Sequence, residues 1–509
     1  MNDSHLHPTR GGRFYNAELC WDGVPTLRGA VQMIHGQAAR TPRGQWVRVV
    51  GGWSPEQFAE RRMPTLDELN EAAPNTPVLV LYLYSRGFLN RAGLKALGID
   101  RNSVAPLGGR FEKDADGEPT GLLIAAPNPT ILYKTIAKLP PLSPEDQVNS
   151  SLRFYRELNR FGLTSVIDAA GGGHEFPEDY AASKRLAEQG KLSLRISYFL
   201  LPQKPGEELA DFQRWTSETQ QDQNEDRLRP NGYVLEGGGE LLVAAAIDFE
   251  NFMEPRPKLD PKFKEPLKQI VGLLVKKGYP FRIHATYDES ISQMLEVFEA
   301  VNMETPFDGL RWALDHAETI SPRNMDRVKA LGGGIAVQCR LAYAGESFKE
   351  RYPQQAASAP PIREMLKRGI PVGAGTDGTR VASYNPWISL YWLVTGKTVG
   401  GTQLASTDNR LSREEALQLY TVGSAWFSGE ETLKGRIGPR QYADFAVLSA
   451  DYFAVPEEEI KRIESVLTVV GGDVVYGISD FASLASPLPP TSPAWSPVST
   501  YGGYYKGTK

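Results

Sequence analysis

Short apolar runs rich in β-branched and aromatic residues alternate along the chain with segments of helical periodicity. Runs of this length predict buried strands, and their alternation with helices predicts a parallel sheet that is covered on both faces. The predicted strands fall at residues 46–50, 78–84, 163–169, 194–201, 280–284, 310–315, 334–338 and 370–373.

Three helix start signals lie between or after these runs. Ser143 is followed by a proline, which predicts an N-cap residue with proline in the first turn. Asp260 precedes a proline in the same way, and Ser412 with Glu415 forms the pattern of a capping box. The fold class predicted by the whole pattern is α/β.

Length and composition narrow the class of protein. A chain of 509 residues predicts one large domain and a smaller one. A net charge of -5 argues against a nucleic-acid partner, because such proteins usually have a basic face. No apolar run approaches the roughly 18 residues of a membrane span. Two cysteines and no recognisable secretion signal predict a reducing, cytoplasmic location.

Four of the six histidines and one aspartate form an ordered set. His5 and His7 make an HxH pair near the N-terminus, and residues at i and i+2 of a strand point the same way. His284, His316 and Asp377 each follow a short apolar run, where a strand would deliver a ligand. An HxH, His, His, Asp series predicts a metal-dependent hydrolase.

The intervals in this set predict a closed barrel. A βα unit takes roughly 30 residues, so His284 and His316 are one unit apart, and His316 and Asp377 are two units apart. Such residues meet only if the sheet closes, which predicts a (β/α)₈ TIM-like barrel with its site at the carboxyl ends of the strands. With HxH on the first strand, the other three residues fit strands five, six and eight.

The remaining chain predicts insertions and a second domain. We predict the barrel over residues 1–425, with insertions near 51–140 and 203–229, because the interval from His7 to His284 exceeds four plain units. Residues 426–485 have the character of a small, possibly incomplete, β-sandwich domain. Residues 486–509 are rich in Pro, Gly and Tyr and predict an extended or disordered tail.

Six motifs together resemble the amidohydrolase superfamily, and within it the YtcJ-like group, or amidohydrolase family 3, which includes N-substituted formamide deformylases. The similarity runs over nearly the whole chain, and the closing segments resemble the C-terminal half of the family's β-sandwich domain. The motifs are at residues 3–8, 116–121, 162–168, 282–285, 315–317 and 375–377.

The chain departs from this family in three places. A strand of about five residues is expected before the HxH pair, and residues 1–4 are too few to supply one, so we expect the native chain to start earlier. The lysine that bridges two metals in many members is absent from 232–240, where Glu236 and Glu240 are the candidate substitutes. A glutamate common after the Thr-Gly motif is replaced by Ala125 and Ala126.

The five residues predict a divalent-metal site, most simply for one or two Zn²⁺ ions. Imidazole and carboxylate ligands suit zinc, and a catalytic zinc leaves one position open for water. His5, His7, His284 and Asp377 would bind the first ion, and His316 would bind a second ion or the substrate carbonyl. The metal would lower the pKa of water towards about 7, with Asp377 as general acid–base and His316 as its catalytic partner.

The predicted reaction is hydrolysis of a C–N bond in an amide or formamide-like small molecule. Hydrolysis of an ester or another C–O bond by the same site is an alternative. A truncated, metal-free relative that acts as a binding or vestigial protein is another, and a barrel fold alone does not decide among them. No membrane partner is predicted, and the family resemblance implies a homodimer as a candidate assembly.

Overall fold

A computed structural model describes residues 1–173, 175–218, 233–239, 248–249, 251–256 and 258–505. The strands are β1 Asn2–Leu6, β2 Val47–Val50, β3 Val78–Tyr82, β4 Arg86–Leu89, β5 Gly109–Lys113, β6 Pro119–Ala125, β7 Ser165–Asp168, β8 Arg195–Leu200, β9 Tyr233–Gly238, β10 Phe281–Ala285, β11 Trp312–His316, β12 Gly334–Gln338, β13 Val372–Gly375, β14 Phe445–Leu448, β15 Ser465–Val470 and β16 Asp473–Gly477.

The α-helices of the same residues follow most of these strands. They are α1 Pro8–Phe14, α2 Leu27–Ala38, α3 Leu66–Ala72, α4 Arg91–Leu97, α5 Thr130–Ile136, α6 Pro144–Arg160, α7 Ala181–Glu188, α8 Glu208–Glu218, α9 Lys264–Lys277, α10 Asp288–Glu304, α11 Pro322–Ala330, α12 Leu341–Arg351, α13 Ile362–Lys367, α14 Pro386–Thr395, α15 Arg413–Gln418, α16 Ser424–Trp426 and α17 Val498–Tyr501.

Eight parallel strands form the main sheet in the order β1-β7-β8-β9-β10-β11-β12-β13. The ends of this order also meet, because the Asp377 amide donates to the His5 carbonyl at 2.8 Å and the His7 amide donates to Gly378 at 3.2 Å. Gly375 lies at this seam, where an added Cβ would be 2.5 Å from the His5 nitrogen. The predicted TIM-like barrel is therefore confirmed.

Small and aromatic side chains fill the barrel interior. Ile167, Phe199, Ala313 and Ala336 form one buried cluster with Phe427. Side chains from alternating strands fill such a barrel completely, so it is a packed core and not a pore. The functional groups can therefore gather only at its ends.

Two helix start signals act as the sequence predicts. Ser143 caps α6, since its Oγ accepts a hydrogen bond from the Asp146 amide at 3.1 Å. Ser412 and Glu415 form a capping box at α15. Asp260 instead starts a short 3₁₀ turn, Pro261–Phe263, that leads directly into α9.

The first barrel strand corrects one expectation. We expected a strand to precede the HxH pair and found residues 1–4 too short for it, but β1 spans Asn2–Leu6 and contains His5. Its register pairs Asn2 with Ser165 of β7. The expectation of a separate strand before the pair was wrong, because the first histidine lies inside β1 and only His7 lies beyond its end.

The chain between α2 and α6 contains a second sheet. It has the order β2-β3-β4-β6-β5, with β2 and β3 parallel and the other pairs antiparallel. Strand β3 is a continuous apolar run, whereas β5 is polar and largely exposed, and one face of the sheet packs in a cluster that contains Leu79, Leu81 and Leu123. Trp53 and Tyr82 belong instead to the cluster of the main barrel core, so the sheet is fixed on the barrel.

Strands β14, β15 and β16 form a three-stranded antiparallel sheet after the barrel. The following segment lies against α6 and α2, where Asn149 donates to the Pro490 carbonyl at 2.9 Å and Gln37 donates to the Trp495 carbonyl at 2.8 Å. Within the described ranges, no helix combines the length and the apolar character needed to cross a bilayer.

Candidate metal centre

The five predicted site residues come from four barrel strands. His5 lies within β1, His284 lies within β10, and His316 is the last residue of β11. His7 follows β1 by one residue, and Asp377 follows β13 by two. All five side chains are buried at the carboxyl ends of the strands, which is the end that carries the active site in barrels of this kind.

Three of these residues meet closely. One ligand atom each from His5, His316 and Asp377 lies within 4.8 Å of the others. Asp377 Oδ1 is 3.6 Å from His5 Nε2 and 3.0 Å from His7 Nε2, and Asp377 Oδ2 is 3.9 Å from His316 Nδ1. Asp377 is therefore the centre of the cluster.

His284 lies at the side of this group. Its ring centroid is 4.4 Å from that of His316. Its Nε2 is 3.3 Å from the Thr286 hydroxyl and 3.8 Å from Asp248 Oδ2. The structure therefore brings all five predicted residues together, although His284 is not among the three whose ligand atoms converge.

His5 and His7 are oriented in the same way. His5 Nδ1 is 3.2 Å from Asp315 Oδ1, and His7 Nδ1 contacts the Ala170 carbonyl. With a proton on each Nδ1, both rings donate to these acceptors and direct Nε2 towards Asp377. Histidines that bind metals are usually fixed by such a hydrogen bond from the other ring nitrogen.

Asp315 also bonds to a buried arginine. Arg282 Nε donates to Asp315 Oδ2 at 3.2 Å, and Arg282 Nη1 donates to the Ser4 carbonyl at 2.7 Å. Burial would raise the pKa of Asp315, but Arg282 and His5 outweigh it and hold the pKa below its ordinary value. The orientation of His5 thus depends on a charged pair inside the barrel.

The charges of the cluster stabilise one another. Burial would raise the pKa of Asp377, but His5 and His7 hold it well below its ordinary value. Burial would lower the pKa of His5, but Asp315 and Asp377 raise it well above its ordinary value. The site therefore favours an ionised carboxylate with positive charge beside it.

The backbone is unusual at two of the clustered residues. His316 has a φ of 82° and Asp377 has a φ of 56°. Positive φ is uncommon for residues other than glycine, and such conformations gather at functional sites. In both residues it turns a side chain at the end of a strand into the cluster.

Sequence reasoning missed Asp248, which the fold brings beside His284. Its carboxylate accepts hydrogen bonds from the Thr286 amide, the Ser290 hydroxyl and, at 3.3 Å, the Tyr287 amide. Burial raises its pKa to about 7. No local motif marks this aspartate, so only the folded chain reveals it.

Asp168 supports the backbone around His7. Its carboxylate accepts from the Thr9 amide and from the Ala170 amide, each at 3.2 Å. Ala170 also supplies the carbonyl that His7 contacts. The two candidate substitutes for the missing lysine, the Glu236 side chain and the whole of Glu240, lie outside the described residues.

Fold and site together define a barrel protein with a buried candidate metal centre. The sequence profile of the amidohydrolase family matches residues 1–476, so the chain belongs to this family. The family predicted from the sequence motifs is therefore confirmed.

Two curated relatives are similar over most of their length. The chain is 27% identical to the N-substituted formamide deformylase of Arthrobacter pascens, over 89% of this chain and 83% of the relative. It is 26% identical to the putative amidohydrolase YtcJ of Bacillus subtilis, over 93% of this chain and 88% of the relative.

A solved structure shares the fold. An uncharacterized metal-dependent hydrolase from Pyrococcus horikoshii superimposes with a TM-score of 0.62 at 20% identity, over 90% of this chain and 86% of that one. Identity at this level supports the shared architecture only.

Proposed function

We propose that the protein is a metal-dependent hydrolase that cleaves the C–N bond of an amide or formamide-like small molecule with water. The observation that carries the proposal is the convergence of ligand atoms from His5, His316 and Asp377 within 4.8 Å. The activity of the Arthrobacter relative, an N-substituted formamide deformylase, supports the choice of a C–N bond.

The residues present fit a divalent metal, with zinc as the ion we expect. His5 and His7 direct Nε2 towards Asp377 while their Nδ1 atoms face acceptors, which is the arrangement of metal-bound imidazoles. His284 and His316 add two more imidazoles beside them. A divalent metal bound there would supply a polarised carbonyl and a water of lowered pKa.

Asp377 is positioned to move the proton. Its carboxylate is ionised and central, so it can accept a proton from the attacking water and deliver it to the leaving nitrogen. His316 lies within the same group and would bind the substrate carbonyl oxygen or a second ion. A second ion would need another ligand, for which Glu236 and Glu240 are the candidates from the sequence.

Metal content and activity of matched variants test the proposal. We expect one or two equivalents of a divalent metal per wild-type chain by elemental analysis, and hydrolysis within a panel of formamides and N-acyl amines. Asp377→Ala should lose both. His35→Ala is the control, because His35 lies on α2, contacts the Ala72 carbonyl at 3.2 Å and should keep both.

Two results would overturn the proposal. The first is a wild-type chain that binds no divalent metal after reconstitution. The second is an Asp377→Ala variant that retains wild-type activity, which would place the chemistry elsewhere. The cytoplasmic location and the homodimer remain predictions from the sequence.

A further inference from the structure

Arg380 is a buried cation, and part of its guanidinium has no polar partner among the described residues. Its side chain is 2% exposed, and its Nη1 has no hydrogen-bond partner among the residues that the structure describes. Within the same residues, no carboxylate lies within 4.0 Å of its guanidinium. An unpaired charge inside a protein is costly, so its persistence indicates a ligand.

Two neighbouring elements hold Arg380 in place. An added Cβ on Gly51, which follows β2 and has a φ of 84°, would lie 2.1 Å from the Arg380 carbonyl oxygen. The ring of Tyr133 on α5 faces the guanidinium at 5.0 Å, within the range of a cation–π contact. Both contacts come from the chain segment between α1 and α6, so that segment fixes the arginine over the barrel.

The surroundings of Arg380 carry more positive than negative charge. Burial lowers the pKa of Arg380, and the like charge of Arg10 lowers it further. Glu18 faces Arg380, Arg48 and Arg10 together, and burial raises its pKa to about 7. Asp168 also faces Arg10. Two acids, Glu18 and Asp168, face the three arginines, so positive charge exceeds negative charge in this region.

A glycine loop joins Arg380 to the metal centre. An added Cβ on Gly171 would lie 2.9 Å from the His7 ring, and one on Gly173 would lie 3.7 Å from Arg380 Nη1. Arg10 donates to the Gly172 carbonyl at 3.2 Å. Consecutive Cα atoms are about 3.8 Å apart, so the loop between these two contacts is less than about 8 Å long.

A row of aromatic rings also leads from Arg380 to the metal centre. Tyr133, beneath Arg380, packs on Tyr84 at 5.6 Å, and Tyr84 packs on Phe249 at 5.6 Å. Phe249 adjoins Asp248, which is 3.8 Å from His284. The Tyr84 hydroxyl also interacts with the charges of Arg10, Arg380 and Asp377. Apolar surface therefore lies between the cation and the cluster.

We propose that Arg380 binds a carboxylate on the substrate, so that the molecule hydrolysed is an amide that also carries an anionic group. This inference rests on the proposed hydrolase function and names its substrate class. The carboxylate would pair with the guanidinium, the apolar part of the substrate would lie along the aromatic row, and the C–N bond would reach the metal centre.

Matched probes test the proposal. N-formyl and N-acetyl amino acids would be compared with their carboxamides, in which a neutral amide of similar size replaces the carboxylate. By calorimetry, wild-type protein should bind the acids more tightly, by about 10- to 100-fold, as expected for hydrogen bonds to a charged group. Arg380→Gln should abolish that preference, while Arg462→Gln, an exposed arginine, should keep it.

Thermal unfolding separates a binding role from a structural one. Removal of an unpaired buried charge should leave the midpoint of Arg380→Gln at or above that of the wild type. A carboxylate probe should raise the midpoint of the wild type and not that of the variant. A large loss of stability in the free variant would assign Arg380 a structural role and overturn the proposal.

The same probes distinguish the two proposals. Charge-dependent binding without turnover would support the role of Arg380 and overturn the hydrolase. The wild type could instead turn over acids and carboxamides with equal kcat/KM, and Arg380→Gln could leave the ratio of these two values unchanged. That result would support the hydrolase and overturn the anion site. Failure of the wild type to bind any acid probe would also overturn the anion site.

Discussion

His5 Nδ1 lies 3.2 Å from Asp315 Oδ1, inside the barrel and beneath the histidine cluster. Arg282 lies farther from the same nitrogen, at 3.5 Å, and donates instead to both carboxylate oxygens of Asp315. The aspartate is thus kept ionised and accepts a hydrogen bond from His5 Nδ1. This chain of contacts, from arginine to aspartate to histidine, orients a candidate metal ligand.

Asp315→Asn should weaken metal binding by about 10- to 100-fold, the usual cost of removing such a supporting contact. The amide cannot accept from His5 and Arg282 as a carboxylate does. Chelator competition at constant pH measures the dissociation constant. Asp67→Asn, an exposed aspartate, is the matched control and should bind metal like the wild type. Unchanged affinity in Asp315→Asn would show that His5 does not depend on this contact.

The barrel and its site were predictable because local sequence patterns coincide with the strands and site residues of the structure. Apolar runs marked the barrel strands on either side of His284 and His316, and the intervals placed these histidines and Asp377 on strands five, six and eight. Periodicity and spacing are properties of the sequence, so they can be read without knowledge of tertiary contacts.

Asp248 and Arg380 were not predictable for the opposite reason. Asp248 becomes a neighbour of His284 only through the connection between β9 and β10. Arg380 is buried where two residues of a distant segment pack against it, Gly51 against its backbone and Tyr133 against its guanidinium. The strand order of that segment could not be predicted either, because the combination of parallel and antiparallel pairing in β2–β6 depends on long-range contacts.

A bidentate ion pair links the barrel to the C-terminal sheet. Arg195 of β8 donates to Asp444 through Nε at 2.7 Å and Nη2 at 3.0 Å, and both side chains are buried. Asp444 also accepts from the Gly471 amide at 2.7 Å. Asp444→Ala should lower the free energy of unfolding by about 3–5 kcal/mol, because it removes the carboxylate that pairs with the buried guanidinium of Arg195.

Urea unfolding of Asp444→Ala would be compared with Glu459→Ala. Glu459 pairs with Arg462 on the surface at 3.0 Å, with side chains 45% and 78% exposed, so its loss should change stability by no more than about 1 kcal/mol. Equal effects of the two variants would contradict the role assigned to the buried pair.

We expect replacement by alanine to have opposite effects on stability at two glycines. Gly375→Ala should destabilise the barrel by about 1–3 kcal/mol, because the added methyl group would meet the His5 backbone at 2.5–2.7 Å. Gly272→Ala in α9 should stabilise it by about 0.5–1 kcal/mol, since no heavy atom outside the helix lies within 4 Å of the added carbon. Melting temperatures measure both, and a stable Gly375→Ala would show that the seam tolerates a side chain.

Asp22 is a buried carboxyl that does not belong to the histidine cluster. It is 4% exposed, and an added Cβ on Gly52 would lie 2.3 Å from its Oδ2. Cys20 Sγ donates to the same oxygen at 3.0 Å. Burial raises the pKa of Asp22 to about 7, hydrogen bonds from Cys20 and Ser383 lower it in part, and the charge of Glu157 raises it again.

This shift predicts that stability falls as the pH rises. The carboxyl titrates near 3.8 in the unfolded chain and near 7 in the folded one, so its contribution is complete below pH 3.8 and is lost as the pH rises to about 7. Over that window the loss is about 1.4 kcal/mol per pH unit. Asp22→Asn should therefore have a free energy of unfolding that falls less between pH 5 and pH 8 than that of the wild type, as measured by urea titration. Asp67→Asn should follow the wild type, and parallel curves for Asp22→Asn and the wild type would show that Asp22 is already ionised in the folded protein.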